Sequence, residues 1–264
     1  MDWGMQNRMQ RIFKPEDNRT VMLAVDHGYF LGSISRLEEP AKTVEPLLPF
    51  TDSLMITRGI LRNCINPRYN MPIVLRVSGG NSILSEDLSN EGLTVSMEDA
   101  LRLGACAVAI SVYVGSAHEH ETLLNLAKLV DAGQEYGIPV LAVTAVGREL
   151  EKRDARYLTN ACRIACELGA HIVKTYYCDD FQKVVESCPV PVVIAGGPKL
   201  KSELDVLEMA YNAIACGAKG VDMGRNIWQS QWPIAMITAI RSIVHKNTSA
   251  KEAYGVFCSL KDKK

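Results

Sequence analysis

Residues 170–177 read Ala170-His171-Ile172-Val173-Lys174-Thr175-Tyr176-Tyr177, and the architecture is easiest to infer from this segment. Its β-branched and aromatic residues follow Leu168-Gly169, a helix-ending signal, so the segment predicts a strand. Lys174 then stands near the carboxyl end of that strand, at the mouth of a barrel, with its stem among apolar residues. Such surroundings lower the pKa of an amine and leave it neutral enough to attack a carbonyl. The alternative is a lysine at the sheet edge that points to solvent.

The same pattern recurs along the chain, where short apolar runs are separated by helical stretches and followed by glycine or polar residues. Apolar runs without alternation indicate parallel strands that are covered on both faces. Eight of them in 264 residues favour a closed (β/α)8 TIM barrel, which takes about 250 residues. A Rossmann-like open sheet is the alternative, but no G-x-G-x-x-G follows the first run. Besides the segment around Lys174, the predicted strands are 20–26, 53–56, 72–77, 106–114, 138–144, 190–195 and 220–224.

We expect a single barrel domain over residues 1–264, because no linker or change of composition divides the chain. Residues 1–19 form an N-terminal extension, in which Met5–Phe13 is a predicted helix that closes the bottom of the barrel or contacts a partner. Residues 248–264 form a C-terminal tail with its own predicted helix. The longer predicted helices between them are 119–136, 154–168, 202–216 and 233–245.

The composition is that of a globular chain, with 47% hydrophobic and 22% charged residues, and it excludes several function classes. A formal net charge of −1 argues against a nucleic-acid partner. No apolar run approaches the roughly 20 residues of a membrane span, and Asp2 and Arg8 argue against a signal peptide. Eight scattered cysteines without a C-x-x-C pair indicate reduced thiols in a cytoplasmic protein. His118 and His120 are not spaced to face one another on a helix, so we expect no metal.

Two charged residues end the first predicted strand. In a (β/α)8 barrel the active site lies at the carboxyl ends of the strands, so Asp26 and His27 would face Lys174 across the mouth. A carboxylate in that position can move protons or hold the lysine and its carbinolamine. The alternatives are a cap or structural ion pair for Asp26 and simple packing for His27.

Glycines end the seventh and eighth predicted strands, where such barrels commonly hold a phosphate. Glycine lets backbone N–H groups approach an anion closely, and a short helix beginning at Arg225 would point its positive end there. Arg225 can also supply a charge-assisted pair of hydrogen bonds. A tight turn without a ligand is the alternative. The candidate phosphate-binding residues are Gly196, Gly197, Gly224 and Arg225.

A neutral amine, a carboxylate and a phosphate anchor together indicate Schiff-base chemistry on a phosphorylated ketone. The lysine condenses with the ketone, and the protonated imine accepts the electron pair when a neighbouring C–C bond breaks. The phosphate anchor supplies binding energy that positions the reacting carbon.

These residues lie in segments that resemble the archaeal-type, Schiff-base class I aldolases. The segments that carry the resemblance are 24–28, 171–177, 193–197 and 220–226. Further segments are similar to the thiolase branch of that family, which processes phosphorylated autoinducer-2. Those segments are 2–5, 57–62, 78–84 and 111–116.

The resemblance implies that Lys174 forms the Schiff base and that Asp26 is its acid/base neighbour. In the thiolase branch the substrate is 3-hydroxy-2,4-pentadione-5-phosphate, coenzyme A is the candidate co-substrate, and acetyl-CoA and dihydroxyacetone phosphate are released. The resemblance also implies no bound cofactor or metal and a homo-oligomer, a pentamer or decamer. One departure concerns residues 143–148, which lack the tyrosine of fructose-bisphosphate members.

Three other functions remain as alternatives. A fructose-bisphosphate or related sugar-phosphate aldolase would use the same lysine without coenzyme A. A sugar-phosphate isomerase would use Asp26 as a base and would form no covalent adduct with Lys174. A non-catalytic phosphosugar-binding protein would be unaffected by loss of the lysine.

Overall fold

The computed structural model describes residues 1–146 and 153–261, in which eight parallel strands close into a barrel. The strands are β1 (Thr20–Ala24), β2 (Ser53–Thr57), β3 (Ile73–Arg76), β4 (Ala107–Val112), β5 (Val140–Thr144), β6 (Ile172–Tyr176), β7 (Val192–Ala195) and β8 (Gly220–Met223). Around the barrel the order is β1-β8-β7-β6-β5-β4-β3-β2. The predicted TIM barrel is confirmed, and the Rossmann-like alternative is wrong.

The barrel closes because β1 pairs on both of its edges. Met22 lies opposite Ser53 of β2, and Thr20 lies opposite Gly220 of β8. Successive side chains alternate between the barrel interior and the helical layer. Apolar side chains fill the lower part of the interior, and the charged side chains of Asp26, Arg76 and Lys174 line the cavity at the mouth. The polar mouth therefore lies on top of an apolar core.

Helices surround the barrel and bury the outward faces of the strands. Their ends follow local signals. In the helix that begins at Glu203, the Ser202 hydroxyl accepts from the Asp205 amide and the Asp205 carboxylate accepts from the Ser202 amide. The helices are Trp3–Ile12, Gly28–Leu31, Pro40–Val44, Arg58–Cys64, Met97–Arg102, Glu119–Tyr136, Ala155–Glu167, Phe181–Glu186, Glu203–Ala215, Arg225–Trp228, Pro233–Lys246 and Ala250–Lys261, with 3-10 turns at Glu45–Phe50 and Pro67–Tyr69.

The two ends of the chain pack against the barrel in different ways. Ile12, the last residue of the N-terminal helix, and Phe13 pack in the apolar interior of the barrel, so this helix lies across the bottom of the barrel. The C-terminal helix packs on the helices 203–215 and 233–246 and buries Phe257. Within the described residues, no helix has both the length and the apolar character that are needed to cross a bilayer.

A short hairpin above β3 is the main feature that the strand pattern does not predict. Ser78–Gly79 pairs antiparallel with Gly92–Leu93, and the intervening loop lies over the mouth of the barrel. The hairpin brings the buried carboxylate of Glu91 to the top of the barrel. A strand pair of two residues each has no hydrophobic period, so it leaves no signal in the sequence.

Candidate active site

All seven predicted site residues line one cavity at the carboxyl ends of the strands. Its volume is about 140 Å³. The strand ends β1, β6, β7 and β8 each contribute to its wall, as the topology of the fold requires. The seven residues are Asp26, His27, Lys174, Gly196, Gly197, Gly224 and Arg225.

Lys174 lies inside the barrel mouth and is 7% exposed. Its Nζ is 2.8 Å from Oδ2 of Asp222 and 3.5 Å from Sδ of Met55. The alternative interpretation, a lysine at the sheet edge that points to solvent, is therefore wrong. The surroundings also differ from the apolar setting that the sequence predicts, since the amine contacts a buried carboxyl group.

Asp222 is the partner of this lysine and is 1% exposed. Burial raises the pKa of Asp222 to about 6; the charge of Lys174 opposes this shift, and the charge of Asp26 adds to it. The group thus changes protonation close to neutral pH. A carboxyl of this kind, in contact with the amine, can take a proton from it and return it.

Asp26 makes its close charged contact with Arg76, whose Nε donates to Oδ2 at 2.8 Å. Burial raises the pKa of Asp26, but the positive charges of Arg76 and Lys174 outweigh it and hold the pKa below its ordinary value. Arg76 also donates to the Ser111 hydroxyl at 3.0 Å. Asp26 is therefore a fixed negative charge near the lysine, and its predicted acid/base role stays a prediction.

His27 is packed between charged groups and an aromatic ring. Its ring meets Trp228 edge-on, with 5.6 Å between the centroids, and its Nδ1 is 3.9 Å from Oδ1 of Asp26. Burial lowers the pKa of His27 to about 4, against the opposing effect of Asp26. The imidazole is neutral at physiological pH, with one ring nitrogen that can donate a hydrogen bond and one that can accept a proton or a hydrogen bond.

The conformation of the turn after β7 is fixed by glycine and by close contacts with neighbouring residues. Gly197 has a φ of +65°, a conformation that favours glycine. Asn226 fixes this turn, because its Nδ2 donates to the carbonyl of Gly196 at 2.6 Å. A Cβ at Gly224 would collide with the carbonyl of Ala24 and with the His27 ring. Both glycine segments line the cavity, and the space beside Gly224 leaves no room for a larger residue.

Two arginines stand beside these glycines. Arg225 is half-buried, and its Nε has no hydrogen-bond partner in the part of the chain that the structure describes. Arg153 lies against the ring of Tyr176, with Cζ 4.9 Å from the centroid, and its Nη1 approaches Gly197. Together they make this side of the cavity positive, which suits an anion.

The opposite wall is a network of hydroxyl groups around Glu91. This carboxylate accepts from the hydroxyls of Tyr29 at 2.6 Å, Tyr113 at 2.9 Å and Ser78 at 2.7 Å. Arg76 lies over the ring of Tyr29, 5.1 Å from its centroid. The hairpin therefore braces the arginine that holds Asp26.

Sequence reasoning missed three of these charged residues. Asp222 and Arg76 are charged side chains at inward positions of otherwise apolar strands, a signal that was present in the sequence. Glu91 lies in a long polar loop and had no such signal. Among the residues described, no group of three His, Cys, Asp or Glu side chains is arranged to hold a metal ion. The tyrosine-free segment 143–148 ends in Gly147 and Arg148, which lie outside the described residues.

A barrel with a lysine buried among its strand ends, beside a carboxyl group and a glycine turn, defines a class of lysine-dependent barrel enzymes. Comparison with known sequences narrows this class. The model for "DeoC/LacD family aldolase" matches residues 20–230. The chain belongs to the DeoC/LacD family of aldolases. The predicted aldolase-type enzyme is thereby confirmed.

Similar proteins are known over almost the whole chain. A protein of Enterobacter sp. strain 638, named 3-hydroxy-5-phosphonooxypentane-2,4-dione thiolase, is 59% identical over 96% of this chain and 85% of its own length. A protein of Photorhabdus laumondii with the same name is 56% identical over 99% of this chain and 89% of its own. A solved structure of the Schiff base forming fructose-1,6-bisphosphate aldolase has a TM-score of 0.81 and 27% identity, covering 91% of this chain and 100% of that chain.

Proposed function

We propose that this protein cleaves 3-hydroxy-5-phosphonooxypentane-2,4-dione and transfers its acetyl group to coenzyme A, leaving dihydroxyacetone phosphate. The observation that carries the proposal is the 2.8 Å contact between Lys174 and Asp222, in the same cavity as the glycine turn and Arg225. The names of the two bacterial relatives support the choice of substrate.

The first step is binding of the phosphate on the positive side of the cavity. Backbone amides at Gly197 and Gly224 and the guanidinium of Arg225 supply donors for its oxygens. Binding there places the neighbouring ketone towards Lys174. The phosphate thus holds the reacting carbon in place, which converts binding energy into a lower barrier.

The second step is imine formation. The amine of Lys174 attacks the ketone beside the phosphate-bearing carbon, and the carboxyl of Asp222 takes the proton that the nitrogen releases. The same proton returns to the carbinolamine hydroxyl, which leaves as water. The product is a protonated imine, and the negative charge of Asp26 nearby stabilises it.

The third step is C–C cleavage. The coenzyme A thiolate attacks the acetyl carbonyl, and the bond between that carbon and the hydroxyl-bearing carbon breaks. The electron pair moves into the protonated imine and forms an enamine, while acetyl-CoA leaves. The enamine takes a proton on carbon, and one water molecule hydrolyses the imine to release dihydroxyacetone phosphate and the free lysine. The proton of the thiol replaces the acetyl group, so atoms and electrons balance.

An aldolase that uses the same lysine is the second candidate, supported by the similarity to the Schiff base forming fructose-1,6-bisphosphate aldolase. Aldol cleavage needs a group that takes the proton from the breaking carbinol. Within the described part of the segment after β5, the cavity wall presents the small Ala145 instead of a tyrosine. This observation favours thiolysis over aldol cleavage.

Product formation with two substrates tests the proposal. The parent protein and Lys174→Ala are incubated with the phosphorylated dione, with and without coenzyme A, and separately with fructose 1,6-bisphosphate. We expect acetyl-CoA and dihydroxyacetone phosphate from the parent only when both the dione and coenzyme A are present. Comparable dihydroxyacetone phosphate from the sugar without coenzyme A would overturn the thiolase and support the aldolase. The lysine variant should form neither product.

We also propose assembly into a ring of five or ten copies, as the family resemblance implies. Trp3 supports an interface at the N-terminal helix, since this large side chain is 77% exposed and an exposed tryptophan is typical of contact surfaces. Light scattering of the parent and of Trp3→Ser would measure the mass. A parent that stays monomeric at micromolar concentration would contradict the assembly.

A further inference from the structure

A second cavity adjoins the one that contains Lys174. Its volume is about 300 Å³. The side chains of Leu88, Tyr113 and Ala145 line both cavities. The two spaces are therefore separated by a thin shared wall rather than by packed core.

The two cavities differ in charge. The first contains the cations Lys174, Arg76 and Arg225 beside the carboxylates of Asp26 and Asp222. In the second, the charged side chains of the described wall are the carboxylates of Glu86 and Asp87, and none is a lysine or an arginine. A phosphate group would gain nothing there and would be repelled by the acidic side chains. A neutral chain that carries amide groups fits this wall better.

The remaining wall suits such a chain. It includes the loop 114–117, Val146 and Tyr157, so the backbone of the loop lies beside apolar and aromatic side chains. Gly115 and Ala117 are exposed, which places the outer side of the cavity at the protein surface. A ligand can thus extend from solvent to the shared wall beside Ala145.

We infer that the second cavity holds the neutral pantetheine arm of the acyl-acceptor thiol and delivers its sulfur past Ala145 to the substrate on Lys174. This inference rests on the proposed thiolysis. The phosphorylated five-carbon substrate occupies the first cavity, so a second reactant needs a separate approach. The phosphates and nucleotide of the acceptor stay outside, because the acidic residues Glu86 and Asp87 disfavour them within the cavity.

Two substitutions test the location of the acceptor, and a third is the matched control. Ala117→Trp fills the outer part of the second cavity, and Ala145→Leu narrows the passage between the cavities. Ala215→Trp makes the same large substitution at an exposed position on the bottom side of the barrel. For each variant, the KM for coenzyme A and for pantetheine is measured with saturating dione. Borohydride trapping of Lys174 by dihydroxyacetone phosphate is measured separately, without any thiol.

We expect Ala117→Trp to raise the KM for coenzyme A and for pantetheine by at least tenfold and by the same factor, because only the arm lies in the cavity. In Ala117→Trp, trapping by dihydroxyacetone phosphate should stay within twofold of the parent. In Ala215→Trp, the two KM values and the trapping should all stay within twofold of the parent. Ala145→Leu should lower thiol-dependent turnover at least tenfold. Ala145 also lines the first cavity, so trapping in Ala145→Leu shows whether the ketone still binds to this variant. If the ketone no longer binds, the result for Ala117→Trp alone tests where the thiol binds.

Unchanged KM values for both thiols in Ala117→Trp, with normal melting, would overturn the inference. A tenfold rise for coenzyme A with no change for pantetheine would also overturn it, since the nucleotide rather than the arm would then be the group that contacts Ala117. Failure of the proposed function has a different signature: the parent itself would form no acetyl-CoA from the dione. The two failures are therefore distinguishable.

Discussion

Replacement of Asp222 by asparagine distinguishes the roles of the two carboxylates that lie near Lys174. Asparagine keeps the size of the side chain and an acceptor oxygen, but it cannot take a proton. The structure places Asp222 at 2.8 Å from the lysine nitrogen, whereas Asp26 is bound by Arg76 at the same distance. We therefore expect Asp222→Asn and Asp26→Asn to fail in different ways.

The expected magnitudes follow from the two contacts. A positioned acid/base group contributes about 10²- to 10⁴-fold in rate, which corresponds to roughly 3 to 5 kcal/mol in the barrier. Asp222→Asn should slow imine formation by that factor. Asp26→Asn instead leaves the guanidinium of Arg76 buried without its partner, and losing one partner of a buried pair costs about 3 to 5 kcal/mol of folding stability.

Two assays resolve these outcomes. The rate of imine formation is measured by quenching the mixture with borohydride at set times after mixing with dihydroxyacetone phosphate and quantifying the adduct on Lys174 by mass spectrometry. Folding stability is measured by urea unfolding. If Asp222→Asn formed the imine within threefold of the parent rate while Asp26→Asn was slowed a hundredfold without loss of stability, the assignment of Asp222 as the proton carrier would be wrong.

Three further outcomes follow from the same geometry. The rate of imine formation in the parent should decrease below about pH 6, because the pKa of Asp222 is raised to about 6 and its protonated form cannot take a proton. Asp222→Asn should lack this decrease. A pH–rate profile of the parent that is flat from pH 5 to 8 would contradict the prediction. Arg225→Ala should raise the concentration of dihydroxyacetone phosphate needed for half-maximal trapping about ten- to a hundredfold, since a hydrogen bond to a charged group contributes about 1.5 to 3 kcal/mol, whereas trapping by unphosphorylated dihydroxyacetone should not change. Gly224→Ala should destabilise the fold by about 1 to 3 kcal/mol, because the added carbon meets the Ala24 carbonyl and the ring of His27; an unchanged urea midpoint would refute the packing argument.

The same buried carboxyl makes stability depend on pH. The pKa of Asp222 is higher in the folded protein, about 6, than its ordinary value of 3.8, so folding favours the protonated form. Its contribution to stability is fully present below about pH 3.8 and is lost as the pH rises through 6. Asp26 has the opposite sign, since its lowered pKa gives stability that is lost on acidification.

Much of the fold could be predicted from the sequence, because its signals are local. Apolar runs interleaved with helices indicate a parallel barrel whatever the details of packing. The helix 119–136 was predicted with both ends correct, because Gly137 stops it in a left-handed conformation with a φ of +66°. Local signals are less clear where proline falls inside a helical stretch: Pro40–Val44 is an α-helix but Glu45–Phe50 a 3-10 helix, since Pro46 and Pro49 interrupt the hydrogen bonding.

The site was predictable as a set of strand ends but not as a set of contacts. Lys174 and the glycine segments could be placed at the mouth because every parallel strand delivers its carboxyl end to the same rim. Which carboxylate contacts the lysine depends on barrel register, and β8 could not be aligned against β6 from sequence alone. Glu91 escaped prediction because it reaches the site through a hairpin with strands too short to carry a periodic pattern.

The most direct test of the central claim is to locate the covalent adduct itself. The parent protein is incubated with dihydroxyacetone phosphate, reduced with borohydride, digested and sequenced by mass spectrometry, with Lys174→Arg as the control. We expect one reduced adduct on the peptide that contains Lys174 and none in the variant. An unlabelled Lys174 in active protein, or an adduct on another lysine that persists in the variant, would contradict it.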